Sequence, residues 1–117
     1  MNFDLVIIGS GPGGYVAAIR GAQLGLKVAI IEKEALGGVC LNWGCIPTKS
    51  FLRSAEVLKL IKASEKYGIK SEVDNIDISE VVKRSRSIAK RLSSGVEYLL
   101  KKNKVEIFIG EASFKSS

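Results

Sequence analysis

Gly9-Ser10-Gly11-Pro12-Gly13-Gly14 is the stretch whose reading decides the fold. The glycines at 9, 11 and 14 satisfy G-x-G-x-x-G, and the context of the motif makes it informative. Before it, Leu5-Val6-Ile7-Ile8 is a continuous apolar run rich in β-branched residues, which predicts a strand buried on both faces of a parallel sheet. After it, Val16, Ala17, Ile19 and Leu24 fall on helical spacing from Gly13 to Leu24, and Gly25 ends the helix. A second apolar run from Lys27 to Ile31 completes a βαβ unit, whose crossover is right-handed and whose strands are parallel. In such a unit Gly9 permits the tight turn, Gly11 admits a pyrophosphate to the backbone, and Gly14 lets the helix approach the strand. Glu32, 18 residues beyond Gly14, ends the second strand where a carboxylate can accept hydrogen bonds from a ribose diol, and an acid there disfavours a 2′-phosphate. The other reading of Glu32 is a solvated strand-end charge.

The rest of the chain extends this unit. Ala35 to Gly44 reads as a glycine-rich loop. Pro47 fits the first turn of a helix with Phe51, Ala55 and Leu58 as its buried stripe, ending near Tyr67 before Gly68. Asp77 and Glu80 form a capping box for a second long helix with Ile88, Leu92, Val96 and Leu99 on one face. Val105 to Ile109 is a third strand, ended by Gly110. The expected fold class is therefore α/β, a partial Rossmann-type domain with a parallel sheet and flanking helices.

At 117 residues the chain holds one modest domain. Composition is that of a soluble globular protein, with 46% apolar and 26% charged residues. No apolar run reaches membrane-spanning length and no leader precedes the first strand, so a cytoplasmic protein is expected, without a membrane partner. The net charge of +6 is uneven: residues 1–34 carry 3 basic and 3 acidic groups, 35–70 carry 6 and 2, and 71–117 carry 9 and 7. Lys83, Arg84, Arg86, Lys90 and Arg91 cluster on the second long helix, yet Glu80 and Glu97 dilute them and no aromatics interleave. They read as a solvated face, and no nucleic-acid partner is expected. The chain has no histidine, which removes the commonest general base, and two cysteines cannot close a four-ligand metal site; no metal is expected.

Cys40 and Cys45 bracket Leu41-Asn42-Trp43-Gly44 just before a helix. The spacing permits a disulfide, and a helix N-terminus with Lys49 nearby stabilises a thiolate. On spacing alone, redox cycling and two inert buried thiols are both open, because C-x4-C is less diagnostic than C-x-x-C.

Gly37-Gly38-Val39-Cys40-Leu41-Asn42-Trp43-Gly44-Cys45-Ile46-Pro47-Thr48-Lys49-Ser50, behind the glycine turn and Glu32, resembles the N-terminal FAD segment of the pyridine nucleotide–disulfide oxidoreductases. The resemblance runs along the whole chain. Leu-Asn before the aromatic, Pro-Thr-Lys-Ser after the second cysteine and the start at Met1 place it nearest the lipoamide-oxidising branch. Glutathione and mercuric reductase types, or a non-catalytic nucleotide-binding module, are the alternatives.

The resemblance implies that Gly9, Gly11 and Gly14 hold the FAD pyrophosphate, that Glu32 holds the adenosine ribose, and that Gly38 and Cys40 line the same cleft. Lys33 is grouped with the cofactor residues, although its own position reads as solvent-facing. Cys40 corresponds to the thiol that attacks the lipoamide disulfide, Cys45 to the flavin-side thiol, Lys49 to the lysine beside the flavin, and Ala112 to a backbone contact with adenine. Trp43 replaces a residue that is often smaller and is expected to pack above the disulfide. Electrons would pass from dihydrolipoamide through a Cys40–Cys45 disulfide and FAD to NAD as co-substrate. The implied partners are a lipoamide-bearing acyltransferase of a 2-oxoacid dehydrogenase complex and a second subunit in a homodimer. Residues 1–117 would be the N-terminal part of the FAD domain, inactive alone, with the NAD, central and interface domains and a His-Glu base pair in further sequence.

Overall fold

A computed structural model describes residues 2–116, so Met1 and Ser117 lie outside the described residues. Strand β1 (Leu5–Ile8), helix α1 (Pro12–Gln23) and strand β2 (Val28–Glu32) form the expected βαβ unit. They are followed by a short helix α2 (Gly38–Asn42), a long helix α3 (Cys45–Lys62), a 3₁₀ turn (Ser64–Tyr67), a long helix α4 (Ile78–Lys102) and strand β3 (Glu106–Ile109). The sheet is parallel in the order β1-β2-β3, with Ile7 opposite Ile30 and Ile30 opposite Ile107. The α/β class and the partial Rossmann architecture are as the sequence predicts.

The core is a single cluster of Ala18, Val28, Ile30, Leu41, Val96, Leu100 and Val105. Central β2 supplies two of its members and is buried almost throughout. β1 is not buried on both faces: Val6 and Ile8 are exposed, because helices cover only the face that carries Leu5 and Ile7. In α1 the sheet-facing residues are Ala18 and Gly21 rather than Val16 and Leu24, which are exposed. Small residues win that face because the helix lies tight on the strands; a Cβ on Gly21 would stand 3.0 Å from Leu5 Cδ2.

Two further expectations are corrected. In α3 the buried positions are Pro47 and Ser50, while Phe51 and Ala55 are exposed. In α4 they are Ser85, Ala89, Val96 and Leu100, so Val96 is buried as expected and Ile88 partly so, while Leu92 and Leu99 of the expected stripe are exposed. The two helices touch each other through small side chains, so the close-packed seam falls on serines and alanine, and the large apolar residues are left outside. This hairpin projects from the sheet. The chain measures 64 × 26 × 21 Å with a radius of gyration of 20.0 Å, against about 13 Å for a compact chain of this length.

The Asp77 cap is observed in half: its carboxylate accepts the Glu80 N–H at 3.1 Å, while the Glu80 side chain pairs with Lys83 instead. No helix among the described residues is long and apolar enough to cross a membrane.

Candidate functional site

The glycine turn joins β1 to α1 where the strands present their carboxyl ends. A Cβ on Gly14 would fall 2.0 Å from the Gly9 carbonyl oxygen, so only glycine lets α1 start this close to the strand. Gly11 differs. Its backbone is extended, a conformation open to any residue, and nothing lies within 4 Å of where its Cβ would be. What glycine provides there is open space above the first turn of α1, whose N-terminus no side chain caps. Bare N–H groups at a helix start, with room before them, suit a pyrophosphate.

Glu32 is not a solvated strand-end charge. It is 8% exposed, and its carboxylate reaches back to the glycine turn: Oε2 accepts the Ser10 N–H at 2.9 Å and the Ser10 Oγ–H at 2.6 Å, and Oε1 accepts the Glu34 N–H at 2.9 Å. Burial pushes its pKa upward, but the Ser10 hydroxyl and the N–H groups of Glu34, Ser10 and Lys33 outweigh burial and hold the carboxyl below its usual range. A carboxylate offers about four lone-pair sites. Both Ser10 donors fall on Oε2, while the Glu34 N–H is on Oε1 and the Lys33 N–H also reaches the group, so any open position lies on Oε1 rather than beside Ser10.

A cavity of about 290 Å³ opens over the strand ends, lined by Ile8, Gly9, Ile31, Glu32, Lys33 and Ala112, with Gly110 and Glu111 at its rim. Gly9, Glu32, Lys33 and Ala112, which the sequence places far apart, therefore share one apolar-walled cleft with a carboxylate at its edge. Adenosine chemistry fits such a cleft. A cavity of about 470 Å³ near Ile61, Ser64 and Ser71 shares no residue with this site.

The stretch expected to be a loop contains a helix. Gly37 and Gly38 both have positive φ, 93° and 64°, and α2 starts from them with Cys40 in its middle. Gly38 lies against the glycine turn, where its Cβ would stand 2.8 Å from Gly11 Cα. Asn42 holds α2 from the other end, its amide donating to the carbonyls of Leu36 and Gly38 at 3.0 Å each, and Ser93 of α4 also donates to Leu36 O at 2.7 Å. Gly44 then turns the chain directly into α3, with Cys45 as its first residue.

Both cysteines are free thiols, Cys40 half-buried and Cys45 exposed. They stand on either side of the α2–α3 junction, Cys40 in the middle of α2 and Cys45 at the first position of α3. The hydrogen bond to the Cys45 side chain, then burial and the nearby Cys45 sulfur, push the Cys40 thiol upward, against the opposing pull of the Cys45 backbone N–H and the Lys49 charge. The start of α3 is thus aimed at the Cys40 sulfur, but in this dithiol the partner cysteine dominates. Cys45 is exposed, so the two thiols are not a buried pair. Trp43, half exposed, lines a groove with Arg86, Ala89 and Ser93 of α4.

Part of the basic face of α4 also has a structural task. Arg86 donates to Asn42 O and Arg84 to Ser50 Oγ, both at 3.0 Å, so these two are not merely solvated. Sequence reasoning missed them, and it missed Ser10 and Asn42 as well. The one signal for Ser10 was a hydroxyl in the second motif position, which the parallel register places beside the end of β2.

A parallel βαβ sheet with an open glycine turn, and two cysteines carried on the helices α2 and α3 beside it, is the arrangement this chain presents. The chain belongs to the pyridine nucleotide-disulphide oxidoreductase family, which it matches over residues 3–117. It is similar to the dihydrolipoyl dehydrogenase of Zymomonas mobilis subsp. mobilis, 59% identical over 109 residues that cover 93% of this chain and 23% of that protein. It is likewise similar to the dihydrolipoyl dehydrogenase of Chlorobaculum tepidum, 57% identical over 95% of this chain and 24% of that one, and to that of Acholeplasma laidlawii, 48% identical over 99% and 35%. The chain spans about a quarter to a third of the length of these relatives.

Proposed function

We propose that this chain supplies one wall of an FAD site and the redox dithiol of a dihydrolipoyl dehydrogenase. The observation that carries the reading is the placement of Cys40 on α2 and Cys45 at the start of α3, with Gly38 at the head of α2 packed against Gly11 of a glycine turn open to a pyrophosphate. Gly9, Gly11 and Gly14 would hold the pyrophosphate, Glu32, Lys33 and Ala112 the adenosine, and Gly38, Cys40 and Lys49 would border the redox end. FAD bound there supplies a two-electron acceptor to the dithiol, with NAD as the co-substrate of the whole protein.

The chain's own residues account for the thiol chemistry. In the oxidised state, one thiolate of dihydrolipoamide attacks Cys40 Sγ, the Cys40–Cys45 bond breaks, and the electron pair passes to Cys45 Sγ. The second substrate thiolate then attacks its own sulfur in the mixed disulfide and releases Cys40. Substrate leaves as a disulfide with two electrons fewer, and the protein holds two thiols. Negative charge developing on either sulfur meets the start of α3 and the Lys49 ammonium. The whole protein's partners would be a second subunit and the lipoamide-bearing acyltransferase of a 2-oxoacid dehydrogenase complex.

The test is differential alkylation. Treatment with oxidised lipoamide should protect Cys40 and Cys45 together, and dihydrolipoamide should expose them together; independent behaviour of the two thiols would remove the proposed relay.

A further inference from the structure

Ser10 is completely buried and forms a junction between three segments. Its hydroxyl donates to Glu32 Oε2 at 2.6 Å at the end of β2, and the same oxygen accepts the Gly37 N–H at 3.2 Å. Its backbone repeats the connection, the Ser10 N–H donating to Glu32 and the Ser10 carbonyl accepting the Gly37 N–H at 3.1 Å. Gly37 is the left-handed residue from which α2 departs, and Cys40 lies on α2 three residues further on.

We propose that Ser10 is a positioning residue: through the relay Gly37 N–H to Ser10 Oγ–H to Glu32 Oε2 it fixes the placement of the dithiol helix relative to the nucleotide-binding turn. Alanine in this position would break both side-chain bonds, leaving Gly37 attached through the Ser10 carbonyl alone. Asn42 still donates to the Leu36 and Gly38 carbonyls, so what Ser10→Ala loosens is the Gly37 N–H at the start of α2, where the helix would gain freedom to shift and alter the approach of Cys40 to Cys45. A hydrogen bond to a charged group is the stronger kind, which is why the hydroxyl rather than the packing of the methylene sets this geometry. The inference takes from the proposed function only that Cys40 and Cys45 work as a pair.

The experiment compares the protein with its Ser10→Ala and Ser10→Thr variants by amide hydrogen exchange and by the alkylation rate of reduced Cys40. Ser10→Ala is expected to speed exchange at Gly37 by about tenfold, the scale of one lost hydrogen bond to a charged network, and to raise Cys40 alkylation several-fold. Exchange in β1, β2 and the centre of α4 should stay unchanged. Ser10→Thr, which keeps the hydroxyl, is expected to restore both readouts toward the parent values. Exchange that quickens uniformly along the chain, or alkylation unmoved by Ser10→Ala, overturns the proposal and leaves Ser10 a packing residue. If neither variant folds, the unsubstituted protein decides: a Gly37 amide that exchanges as fast as the exposed 70–76 connector overturns the relay. Loss of paired Cys40–Cys45 cycling in the unsubstituted protein would count against the proposed function alone.

Discussion

Gly38 and Gly11 are in backbone contact, with 2.8 Å between the position of a Cβ on Gly38 and Gly11 Cα. Helix α2 and the glycine turn are thus built against each other, with no side chain between them. Because Gly38 also has φ of 64°, Gly38→Ala adds left-handed strain to a collision with rigid backbone. It is expected to destabilise the fold by about 2 to 4 kcal/mol, as a lowered urea midpoint at unchanged slope.

Glu32 gives the protein an acid-sensitive joint. Its folded pKa lies below the unfolded value, so its contribution is complete above the ordinary carboxylate pKa and is lost as pH falls through the depressed folded value. Glu32→Gln should cost about 1 to 3 kcal/mol at pH 7, because a carboxamide presents a donor toward donors. Denaturation curves collected from pH 7 down to pH 3 should converge for the two proteins; a constant gap would contradict the assignment.

Cys40 should alkylate as a thiol of raised pKa, its rate climbing through a midpoint above that of a free cysteine. Cys45→Ala removes the contact that raises it and should move the midpoint down, toward the influence of Lys49. In the whole protein, Cys45→Ser should cut lipoamide turnover by about 10³-fold or more, since the relay needs both sulfurs. Steady-state assay and stopped-flow alkylation check the two statements separately.

The α3–α4 hairpin carries Phe51, Leu52, Val57 and Leu60 at 41% or more exposure. Such a face on an elongated chain favours association. The 117-residue chain by itself is expected to self-associate and to bind FAD weakly, because half a cleft must still offset the full ordering cost. Light scattering should show a concentration-dependent mass that Leu52→Lys with Leu60→Lys reduces.

The strands and the glycine turn were legible because the Leu5–Ile8 and Lys27–Ile31 runs are unbroken and the motif sits between them. Asp77 announced α4 through a local hydrogen bond that sequence spacing encodes directly. The α2 helix was hidden: five residues are too short for a periodic signal, and Gly37-Gly38 reads as loop although two positive φ angles are what launch it. The buried stripes of α3 and α4 slipped for a different reason. Periodicity finds the most apolar face, and here that face is open while Ser50, Ser85 and Ala89 make the seam. Cys40, Cys45 and Glu32 stand out in the sequence by residue type and spacing, but the hold of Ser10 on Glu32 depends on a parallel register that no local pattern reveals.

The central claim is that Cys40 and Cys45 are one two-electron couple served by lipoamide. Peptide mass mapping after equilibration with defined ratios of lipoamide to dihydrolipoamide, quenched with an alkylating agent, tests it most directly. The account predicts that unlabelled Cys40–Cys45 disulfide and doubly labelled dithiol interconvert along a single two-electron titration curve, with no population labelled at one cysteine only at either end. Two thiols that remain fully labelled at every ratio, or that titrate separately, would contradict it.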